Sequence, residues 1–94
     1  MLMLVRRYDE PAQAETEPGE AGSVRPLKFR AWGSTYLVTE VLHYWSEDRQ
    51  WWKPGASADP RPIWFWRVRA VGTRQATVVL REDAGTWTVV GIED

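Results

Sequence analysis

Between Ile63 and Val71 the chain reads IWFWRVRAV, and no other stretch restricts the fold so tightly. Trp64, Trp66, Val68 and Ala70 fall on one side of a period-two pattern, and Phe65, Arg67 and Arg69 on the other. Strict alternation of this kind describes a strand with one face toward a core, not a helix. A strand that buries two indoles needs a facing wall of other strands, and two further segments supply the same period. Leu27, Phe29 and Ala31 alternate with Lys28, Arg30 and Trp32, and Ala76, Val78 and Leu80 follow the turn at residues 72–74. Leu27, Phe29, Trp64, Trp66 and Val68 are therefore the expected core.

Residues 35–45 carry two signals. Val38, Val41, Leu42 and Trp45 have helical spacing, but the segment is rich in β-branched and aromatic residues and follows a Gly33-Ser34 turn. A long bent strand, bulged near Glu40, is the favoured reading, with a helix as the alternative. Residues 53–62, KPGASADPRP, form a loop, and residues 82–85, EDAG, a hairpin turn before the last strand. The expected fold is all-β: a five-stranded meander closing into a small, SH3-like, partly open barrel over residues 24–94. Residues 1–23 are expected to stand apart as an acidic and mostly disordered segment. Residues 9–20 hold five acids, no base and no large apolar side chain, too little to offset the entropy of ordering.

A barrel this small lies near the lower limit for an independent core, and no cysteine is present to staple it. Seven tryptophans are the compensation, each able to bury about 150–250 Å². The lack of cysteine also removes thiolate metal sites, and a single histidine removes a multi-histidine zinc site. No metal or cofactor is expected. No serine lies in a nucleophile elbow, no glycine-rich phosphate loop is present, and the pairs Glu47-Asp48 and Glu82-Asp83 sit in turns, so a non-catalytic role is expected. The apolar start, residues 1–5, is shorter than a secretion signal requires, which points to a cytoplasmic protein.

Net charge of −1 conceals a division. Residues 24–81 hold ten bases against four acids. The outward side chains Lys28, Arg30 and Trp32 of one strand and Phe65, Arg67 and Arg69 of another each combine two cations with one ring, and Trp52 lies between Arg49 and Lys53 in sequence. Cations that follow a phosphate backbone beside rings on which bases stack are the working parts of single-strand binders. Lys28, Arg30, Trp32, Trp52, Arg67 and Arg69 are thus the candidate site for nucleic acid. The same rings and arginines equally suit a protein interface, so an adaptor is the alternative. The acidic segment would compete for this face as a tethered polyanion.

The run Arg25-Pro26, Phe29, Trp32-Gly33, Tyr36, Val38, Val41-Leu42, Trp45, Trp51-Trp52, Trp66-Arg67-Val68 and Trp87 resembles a family of small tryptophan-rich bacterial domains of unknown function. Its members are often encoded beside translesion-polymerase cassettes that include an inactive Y-family polymerase homologue. The resemblance covers about residues 25–92. It implies an accessory role in DNA repair or damage tolerance, with a polymerase subunit as a possible partner and no catalytic residues.

Overall fold

A computed structural model describes residues 5–48 and 61–93. Six strands follow one another as a closed antiparallel barrel in the order β1 to β6: β1 (Val5–Pro18), β2 (Val24–Ala31), β3 (Ser34–Glu47), β4 (Ile63–Val71), β5 (Gln75–Asp83) and β6 (Thr86–Glu93). A single 3-10 turn, Glu20–Gly22, joins β1 to β2. The all-β expectation holds, with six strands in place of five and a closed ring in place of a partly open one.

The extra strand is the acidic segment. Residues 9–22 were expected to lack regular structure, yet residues 5–18 form β1, which pairs with β2 on one side and β6 on the other. The separate N-terminal segment is instead the stave that closes the barrel. Its alternation is hidden because the inward positions are alanine: Ala12 and Ala14 pack against the core while Pro11, Gln13 and Glu15 face out. Small residues suit a wall opposite bulky ones, since the interior of a small barrel has room for only a few large rings. The outward acids meet bases on the neighbouring strand, Glu15 with Lys28 at 2.9 Å and Glu17 with Arg25 at 3.8 Å. The polyanion is thus built into the sheet and not tethered beside it.

The core comprises Phe29, Ala31, Trp66, Val68, Ala70, Val78, Leu80, Trp87 and Val89, with Trp64 packed against it. Strands β4 and β5 follow the expected faces. Leu27 does not: it is 39% exposed, because the β1–β2 ladder shifts register between Glu15 and Thr16 and passes over it. A bulge of this kind gives one strand an extra unpaired residue and reverses the face of everything beyond it. Pro26, one residue out of phase with the expected position, is the buried residue instead.

Strand β3 has two such irregularities, which pass over Thr39 and Leu42. The Thr39 hydroxyl donates to the Arg69 carbonyl at 3.2 Å, holding the first in place. Inward positions therefore fall at Val38, Val41 and Tyr44, opposite Ala70, Val68 and Trp66. Two bulges in a strand have produced the near-helical spacing seen in the sequence.

The β2–β3 hairpin turns through Trp32 (φ 51) and Gly33 (φ 73). Positive φ at both centres matches the twist of the strands, but a residue with a Cβ resists it. Trp32 is held there from β1: its N–H donates to Glu10 at 3.2 Å, and its ring meets Tyr8 edge-on at 5.2 Å.

The bulge assignment has a direct consequence for stability. Leu80→Ala should cost about 2–5 kcal/mol in urea denaturation, the range for a fully buried leucine, whereas Leu27→Ala should cost well under about 1 kcal/mol. Equal losses would place Leu27 in the core and remove the bulge. Deleting residues 1–18 should abolish cooperative unfolding, because both β2 and β6 lose their partner.

Candidate functional site

The β2–β3 ladder runs only from Lys28 opposite Leu37 to Ala31 opposite Ser34. Beyond Leu37, β3 continues to Glu47 with β4 on one side and, among the described residues, no strand on the other. The break has local causes. Pro26 lacks a backbone donor and cannot extend a ladder through its own nitrogen. Both strands are also irregular, with a bulge at Leu27 in β2 and others at Thr39 and Leu42 in β3.

The resulting seam is a cleft of about 640 Å³. One wall consists of Pro18, Gly19, Glu20 and Arg25, the other of residues 39–44, with Trp66 as well. A strand that offers a face contributes every second residue, because successive side chains point to opposite sides. Bulges at Thr39 and Leu42 interrupt that alternation, and beyond Leu37 no described strand pairs with β3 on this side, so residues 39–44 present an edge to the cleft.

Trp66 belongs to both the core and the cleft. It is 2% exposed, and among the described residues its indole N–H has no acceptor. A buried donor without a partner costs the free energy of the hydration it has lost. Tyr44 stacks on Trp66 at 5.1 Å between ring centres and donates its hydroxyl to Glu20 at 2.7 Å, bridging the mouth of the seam. The hydrogen bond to Glu20, and then its negative charge, push the Tyr44 phenol above the ordinary tyrosine pKa.

The candidate residues named from the sequence do not form one patch. Lys28 and Arg30 lie on β2, opposite Leu37 and Thr35 of β3, and Trp32 is in the hairpin turn. Arg67 and Arg69 lie on β4, the far side of β3. Two strand spacings separate the groups by roughly 10 Å, and Arg67 lies roughly 13 Å further along β4 than Val71, the residue level with Lys28. Trp52 lies outside the described residues. The cations are also engaged: Lys28 with Glu15, Arg69 with Glu40, and Arg67 through two nitrogens with Glu93. The Glu93 hydrogen bond raises the Arg67 pKa against the opposing effect of desolvation, as expected of a cation held by its partner. Arg30 is exposed and has no carboxylate partner among the described residues.

His43 points outward and stacks on Trp45 at 5.4 Å, and Trp45 stacks on Phe65 at 5.3 Å. The described residues contain no group of three or more acidic, histidine or cysteine side chains able to hold a metal. Nor do they contain a helix long and apolar enough to cross a membrane. The cleft residues Glu20, Arg25, Glu40, Tyr44 and Trp66 were missed in the sequence. The available signal was Pro26, a proline inside a strand, which marks an unpaired edge.

Fold and seam together define a small up-and-down antiparallel β-barrel with one strand edge open to a cleft. The chain belongs to the family described as a domain of unknown function (DUF6504), whose model matches residues 2–94. No curated protein and no solved structure matches it.

The Tyr44–Glu20 bond sets an alkaline limit on its own contribution. It favours the protonated phenol in the folded state. Its stabilisation is whole below the pH where an unfolded tyrosine ionises, about 10, and is lost as pH rises through the higher folded value. Absorbance titration of the three tyrosines should show one ionising late, and Glu20→Gln should move that one to lower pH. An unchanged titration in the variant would mean that the bridge does not persist in solution.

Proposed function

We propose that this domain is a non-catalytic accessory module that docks an extended segment of a partner protein along the open edge of β3. The presentation of consecutive residues 39–44 in one cleft carries the reading. An incoming strand would satisfy the backbone groups of that edge, and its alternate side chains would face the aromatic floor at Trp66 and Tyr44. The two carboxylates on the walls, Glu20 and Glu40, do not favour a phosphate backbone there. The resemblance to domains encoded beside translesion polymerases supports a role in DNA repair or damage tolerance, with a polymerase subunit as the partner class.

Nucleic acid remains the second reading, and one observation favours it: the outward row His43, Trp45 and Phe65 offers stacked rings, with Arg67 and Arg81 nearby on the same face. It ranks behind docking because phosphate binding needs uncommitted cations, and both arginines are paired, Arg67 with Glu93 and Arg81 with Asp83.

The test is selection of peptides from a random display library on the full chain, followed by amide hydrogen exchange with a selected peptide. Docking predicts new protection within residues 39–47 and little change in β5 or β6. Peptides that protect other strands, or failure to select any, would sink it. In parallel, tight binding of single-stranded DNA that weakens steeply with salt and is lost in Trp45→Ala would restore the nucleic-acid reading.

A further inference from the structure

A second, smaller cavity of about 250 Å³ lies beside the seam. Arg61, Trp64 and Glu82 line it, together with Ala21 and Gly22 of the 3-10 turn. Glu82 is an inward-facing residue of β5, following Val78 and Leu80, and is only 7% exposed. Its neighbours in register are both tryptophans, Trp64 on β4 and Trp87 on β6. Among the described residues, no hydrogen bond or ion pair reaches its carboxylate. Arg61 is exposed and already engaged in another interaction.

The Glu82 oxygens are not sealed from solvent, so the carboxylate opens onto the cavity and offers a counter-charge there. The choice of ligand follows from the walls. An anion would be repelled, and an apolar group would leave the carboxylate dry. A cation satisfies both components, because indole faces attract positive charge and the carboxylate supplies its counter-charge. The cavity falls below the roughly 300–1,000 Å³ of small-molecule sites, which suits a single side chain.

The cavity is continuous with the cleft in its materials. Trp64 meets Tyr44 at 6.2 Å and Trp66 at 6.3 Å, so one aromatic wall runs from seam to pocket. The 3-10 turn likewise places Glu20 on the seam side and Ala21 and Gly22 on the pocket side. We infer that this pocket receives the ammonium or guanidinium of a lysine or arginine carried by the segment docked in the neighbouring seam. The inference rests on the docking reading for the source of the cation, and it adds the selectivity that backbone pairing lacks: edge hydrogen bonds accept any sequence, whereas this pocket accepts a basic residue.

The test has two arms on the full chain. In the first, butylammonium and methylguanidinium chlorides are titrated while the indole resonances are followed by NMR, with sodium acetate at matched ionic strength as control. The cations should produce a saturable shift at Trp64, acetate none, and Glu82→Gln should weaken the effect by at least about tenfold, as expected when a buried charge loses its counter-charge. Glu82→Asp, which keeps the charge but withdraws it, serves if the glutamine variant fails to fold, and should also weaken binding. No saturable shift, an equal response to acetate, or an unaltered affinity in a folded variant would overturn the proposal. In the second arm, display selections on the parent and on Glu82→Gln are compared. A lysine or arginine enriched at one position on the parent alone supports it. Selected peptides that protect β3 without any basic preference would overturn the pocket while docking stands. Cation binding without any β3-protecting peptide would overturn the docked source and the docking reading together.

Discussion

The barrel depends on β1. Each of the other strands has sequence neighbours to pair with, but the meander closes only because β1 bridges β2 and β6. That stave contributes little apolar area of its own. It sets Ala14 beside Phe29 and Ala12 beside Trp87 against the buried cluster and joins its neighbours through backbone hydrogen bonds, so that no edge remains along this side. Its acids then answer the bases of β2 across the ladder. Exposed pairs of this kind each contribute little. They also leave Lys28 and Arg25 paired with carboxylates of β1.

Closure at one side makes the opening at the other meaningful. An up-and-down barrel has no edges when every ladder runs its full length, and here one ladder stops at Lys28 and Leu37. Proline and bulges act together to end it. The same bulges, with Glu40 on the free edge, blunt it against indiscriminate pairing, because an irregular and charged edge is a poor template for aggregation. What remains is an edge that a matching segment can use, floored by Trp66 and spanned by Tyr44 and Glu20.

Among the described residues, the Trp66 indole N–H and the Ser23 hydroxyl are buried without a hydrogen-bond partner. Most buried polar groups in folded proteins find partners, so such exceptions are informative. Glu82 lines the adjoining cavity, beyond the aromatic run of Tyr44 and Trp64.

Much of the fold was legible from side-chain period alone. The alternation of β4 and β5 and the inward faces of Trp64 and Trp66 follow from the rule that successive strand residues face opposite ways. That rule fails wherever a bulge adds a residue, as at Leu27, and wherever the inward residues are too small to register as apolar, as in β1. The candidate site was less legible. Lys28, Arg30, Arg67 and Arg69 are outward as their period requires, but the register sets β3 between them and supplies each paired cation with its carboxylate. Sequence by itself determined the class of fold, the faces of the regular strands and the absence of a disulfide framework, because these depend on local period and composition. Tertiary structure decided the sixth strand, the seam and the pairing of charges, because each depends on which distant strand lies alongside, and a single bulge moves that partner by one residue.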